Sequence, residues 1–68
     1  MDKYQLTSCL RKLAKALSEA QDLFDFPEDV YEEIKNPHTD KDGFVHKYYI
    51  SEKTKGMVEI LLNAYKII

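Results

Sequence analysis

Residues 38–52, HTDKDGFVHKYYISE, hold the one grouping in this chain whose residue types and spacing approach a recognisable chemistry. A calcium-binding loop sets carboxylates at its third and fifth places, glycine at the sixth and a bidentate glutamate at the twelfth. With Gly43 in the sixth place, Asp40 and Asp42 fall third and fifth, and Val45 falls eighth. His38 then stands first and Tyr49 twelfth, where hard oxygen ligands are required. Two of the main ligands are missing, so the stretch is expected to be a turn. Asp-Gly favours one, because glycine accepts positive φ and aspartate bonds its own backbone.

No other group of residues suggests a reaction. Cys9, His38 and His46 are the borderline-soft metal ligands, and they lack the paired spacing of a zinc site. Cys9 falls in an apolar helical stripe and is expected to be a small core residue rather than a nucleophile. Glu32 and Glu33 are adjacent, so on a helix they diverge by about 100° and cannot share an acid–base role. Gly43 and Gly56 are the only glycines, which leaves no phosphate-binding loop. No catalytic residue, metal or cofactor is expected, and the chain is not expected to be an enzyme.

Those residues must be held by a small scaffold. The chain has 68 residues and a single cysteine, so it has no internal disulfide and is expected to form one domain, 1–68. Hydrophobic residues make up 44% and charged residues 32%, a composition that folds. No apolar run is long enough for a signal peptide core or a membrane helix, and a lone thiol suits a reducing compartment; a cytoplasmic protein is expected.

Three helices are predicted. Leu6, Leu10, Leu13, Leu17, Ala20 and Phe24 recur at spacings of four and three, with Cys9, Ala16 and Leu23 widening the stripe, which predicts a long helix over 3–24. Asp2 and Gln5 form a capping box at its start. DFPEDVYEEIKNP predicts a short acidic helix over 27–35, with Asp25 as cap, Pro27 in its first turn and Pro37 as its stop. Ser51 caps a third helix in which Glu59, Asn63 and Lys66 are the only polar residues after Met57. Gly56 near its start implies close packing or a bend. FVHKYYI, rich in aromatic and β-branched residues, leaves room for a minor β-hairpin within 36–50. The expected fold class is all-α: a long first helix, a short acidic second and an apolar third packed on the first.

Charge is distributed unevenly behind a net of −2. Glu19, Asp22, Asp25, Glu28, Asp29, Glu32 and Glu33 fall in a stretch without a lysine or arginine, whereas Lys3, Arg11, Lys12 and Lys15 make the start of the chain basic. The function expected is a small non-catalytic interaction factor: an inhibitor, adaptor or immunity-type regulator of the kind phages and mobile elements encode. Glu28, Asp29, Glu32 and Glu33 would steer a basic protein partner and Tyr31 would anchor it. A homodimer is expected through the apolar surplus of the third helix: Met57, Leu61, Ala64 and Ile68, or their neighbours Val58, Leu62 and Tyr65. The alternative is a helix-turn-helix transcription regulator using Lys41, Lys47, Lys53 and Lys55; the single arginine, Arg11, and the acidic balance count against nucleic acid.

Overall fold

A computed structural model describes residues 1–20 and 26–67. It is all-α, with α1 over Lys3–Glu19, α2 over Glu28–Lys35 and α3 over Glu52–Ala64; a single 3-10 turn, Lys47–Tyr49, lies between α2 and α3. Among the described residues there is no strand. Phe44, Val45 and His46 run without a ladder partner and the aromatic run coils into the 3-10 turn, so the minor hairpin is not formed.

α1 begins as its sequence predicts. Asp2 Oδ1 accepts the Gln5 amide at 2.8 Å and Gln5 Oε1 accepts the Asp2 amide at 3.2 Å, which closes the capping box. The helix stops at Glu19, short of the expected residue 24, because Ala20 is already extended. Its last turn carries no basic side chain to complement the carbonyl end, and Ser18 Oγ donates to Lys15 O at 2.8 Å. Leu23, Phe24 and the expected cap Asp25 lie outside the described residues. α2 starts one residue later than expected, with Pro27 as its cap and no side-chain cap bond.

The core is a single cluster. Leu6, Cys9, Leu10, Leu13 and Leu17 from α1 meet Val30 and Ile34 from α2 and Val58 and Leu62 from α3. The connection between α2 and α3 adds Val45 and Ile50. Cys9 is therefore a buried core residue, and Val58 and Leu62 are core rather than surface.

α3 ends in a Schellman arrangement. Lys66 N donates to Asn63 O at 3.1 Å and Ile67 N to Leu62 O at 2.9 Å, which folds Ile67 back against the core. The turn requires a left-handed residue, and Lys66 supplies it with φ of 57°. Ten residues earlier, Gly56 sits inside the helix, where a Cβ would meet nothing within 4 Å among the described residues. The expected close packing at this glycine is therefore not found among them. Gly56→Ala is expected to raise stability by about 0.5–1 kcal/mol and Lys66→Gly by about 1 kcal/mol, since each puts the residue's conformational freedom where the backbone asks for it. Urea unfolding of the two variants checks this; a lowered midpoint in either would contradict the local account.

Candidate interaction surface

The turn that resembles a calcium loop is built around Asp40. Its backbone N–H donates to Phe44 O at 2.9 Å and its carbonyl accepts the Gly43 N–H at 3.0 Å. Gly43 takes φ of 87°, the conformation for which glycine is suited. The carboxylate completes the turn: Oδ1 accepts the amides of Asp42 at 2.9 Å and Phe44 at 3.0 Å. Oδ2 lies 2.7 Å from His46 Nε2. Both oxygens are thus engaged by the chain itself. The amide of Phe44, followed by the imidazole of His46, holds the Asp40 carboxyl down at about 2.

The next residue joins the turn to α1. Val45 donates its amide to Thr7 Oγ1 at 2.8 Å, and that hydroxyl donates onward to Lys3 O at 2.7 Å. Val45 is buried and His46 only partly so, which leaves the 3-10 turn at the surface. There Tyr49 is the hub of an aromatic cluster. Its ring centre lies 4.6 Å from that of His38, 5.0 Å from that of His46 and 4.9 Å from that of Tyr48. Packing inside the cluster pushes the Tyr49 phenol up, and the neighbouring Tyr48 and Asp40 push it further the same way. Tyr48 rests edge-on against Tyr49 at 82° while 72% of it stays exposed. Beside the turn, Tyr4 and Phe44 form a second edge-on pair with Lys3 Nζ over both rings.

The acidic residues of α2 divide into two sets. Glu33 clasps the start of α3: its Oε2 accepts the Ser51 amide at 3.0 Å, and its Oε1 accepts Ser51 Oγ at 2.8 Å and Thr54 Oγ1 at 2.9 Å. The Ser51 amide bond is the main reason the Glu33 carboxyl sits below its usual range. Asp29 pairs with Lys53 Nζ at 3.0 Å, and that bond lowers its carboxyl as well. Glu28 and Glu32 remain exposed and outside any ion pair among the described residues. Tyr31 is half-buried against the core with Lys35 Nζ over its ring, so it presents less of itself than Tyr48 does.

α3 divides similarly. Met57 and Leu61 are half-buried against the core, whereas Ile60 is 65% exposed, and Ala64 and Tyr65 are also exposed. Ile68 lies outside the described residues. The sequence points to Tyr31 as the anchor, whereas Tyr48 and Ile60 are the more exposed side chains. Tyr48 could have been found from its place next to Tyr49 in a run too short to bury both rings. No family model, curated protein or solved structure matches this chain.

The Asp40 turn makes the surface sensitive to acid. Its carboxyl titrates at about 2 in the folded chain against an ordinary value of 3.8. The stabilisation is therefore complete above about pH 4 and is lost as pH falls through about 2. The Asp42 and Phe44 amide resonances are expected to titrate with a midpoint near 2 in NMR spectra, and to lose that titration in Asp40→Ala. A midpoint near 4 would mean that the carboxylate does not hold the turn.

Proposed function

We propose that this chain is a small non-catalytic protein-binding factor of the inhibitor or adaptor type. The observation that carries the reading is Tyr48: a large, mostly exposed aromatic side chain on the 3-10 turn, which lies between Val45, held to α1 by Thr7, and Ser51, held to α2 by Glu33. An exposed aromatic ring on a flexible loop would lose conformational freedom on binding, and one already braced by Tyr49 and His46 loses less. Tyrosine is also among the residue types that dominate interface energetics. Glu28 and Glu32, which form no ion pair among the described residues, supply charge to steer a basic partner surface; Asp29 and Glu33 contribute less because the chain itself neutralises or engages them.

Self-association belongs to the same reading. Ile60 projects from α3 with Ala64 and Tyr65 also exposed on that helix, an apolar surface that a second copy would cover. The helix-turn-helix alternative has less support, because residues 36–51 separate α2 from α3 where that motif uses a turn of about three or four residues.

The chain, immobilised and exposed to a lysate of its source cells, is expected to retain a partner that Tyr48→Ala weakens by about tenfold or more. Charge reversal of Glu28 and Glu32 together is expected to slow association with that partner and leave dissociation nearly unchanged. Equal retention by all three proteins would remove this surface from consideration. Separately, light scattering across a hundredfold dilution is expected to find a dimer that Ile60→Asp converts to monomer; a monomer throughout would dismiss the α3 contact.

A further inference from the structure

Beside the 3-10 turn lies a cleft of about 210 Å³ between the start of α1 and α3. Its apolar lining is four core residues, Leu6, Ile50, Val58 and Leu62, together with the exposed Met1. The volume exceeds the roughly 150 Å³ of an apolar cavity that accepts benzene, room for one aliphatic side chain. An apolar lining of this kind gains little from being wet and more from an apolar insert.

The mouth of the cleft is charged. Lys47 stands on one side, directly before the exposed Tyr48, and Lys55 and Glu59 stand on α3. Lys47 has no ion-pair partner among the described residues. Lys55 holds Glu52 at 3.1 Å, but the Glu52 side chain is 90% exposed, so that pair contributes little and is readily exchanged. Two lysines bordering an apolar lining favour an apolar group next to a carboxylate, and Glu59 is the one acidic residue of that lining.

We propose that this cleft receives an acidic, extended segment of the protein partner. The segment inserts one leucine- or isoleucine-sized side chain onto Leu6, Ile50, Val58 and Leu62 and sets an adjacent carboxylate between Lys47 and Lys55. The inference rests on the reading of the chain as a protein-binding factor, and Lys47 makes the cleft continuous with the Tyr48 anchor. The partner then meets two zones of opposite sign, basic at the cleft and acidic at Glu28 and Glu32.

The test is a titration of the labelled protein with N-acetyl-Leu-Asp amide, followed by amide shifts in NMR spectra. Saturable shifts at Leu6, Ile50 and Val58 are expected, with N-acetyl-Leu-Lys amide and N-acetyl-Ala-Asp amide binding at least tenfold more weakly. Lys47→Glu combined with Lys55→Glu is expected to weaken the first peptide at least tenfold; both side chains lie outside the core, and an unchanged helical circular dichroism spectrum confirms that the variant folds. Equal binding of the aspartate and lysine peptides, shifts confined to another surface, or no saturation at ten millimolar would each overturn the proposal. So would a single-stranded oligothymidylate that shifts the same amides more strongly than the dipeptide, since the lysines would then serve phosphates. A null titration alongside Tyr48-dependent capture of a partner removes the cleft alone, whereas a positive titration without such capture removes the Tyr48 anchor and keeps the cleft.

Discussion

Residues 36–51 must cross from the end of α2 to the start of α3 without a strand ladder, and the polar groups of that backbone still need partners. Side chains supply them. Asp40 takes two amides of its own turn, Thr7 takes the amide of Val45, and Glu33 takes the amide of Ser51. These three residues lie in the connection, in α1 and in α2, so the connection is fastened to both earlier helices. Val45 and Ile50 can then enter the core, and no buried side-chain polar atom among the described residues lacks a partner. The display of Tyr48 follows from this fastening, because the residues before and after the 3-10 turn are held inward.

Fastening consumes charge. A run of acids looks uniform in the sequence, yet Glu33 works as a hydrogen-bond acceptor at the head of α3 and Asp29 is matched by Lys53. Thr54, only 1% exposed, is satisfied by the same Glu33 carboxylate. What remains for encounter with another molecule is the outer edge of α2. The Asp29–Lys53 pair is mostly solvated, with side chains 66% and 60% exposed, and contributes little to holding the helices together. Glu33 is the member of the run that organises structure.

Much of the fold was legible from local rules. The capping box at Asp2, the cap at Ser51 and the leucine spacing of α1 are each decided by residues within a few positions, and the structure follows them. The boundaries and surfaces decided by distant residues were not legible. Whether Val58 or Ile60 faces inward depends on where α1 lies against α3, and the apolar pattern of the third helix fits both choices. Asp40 was visible as an oxygen ligand near a glycine; its actual partners are two amides in its own turn and an imidazole six residues away. Thr7 gave no signal, since a threonine within a leucine stripe does not announce that its hydroxyl will meet Val45.

The Thr7–Val45 hydrogen bond joins residues 38 positions apart, whereas the contacts that build α1 and the Asp40 turn are local. Closing a long segment costs configurational entropy before any contact rewards it, by an amount that grows with the logarithm of its length. The helices and the Asp40 turn rest on local contacts, so this cost falls on seating the turn against α1. In the opposite direction, a fluctuation that frees Val45 from Thr7 would leave the Asp40 turn intact as a unit, with the far side of the connection still held at Ser51 by Glu33. The aromatic surface and the helical body would then exchange hydrogen with solvent as two separate cooperative units.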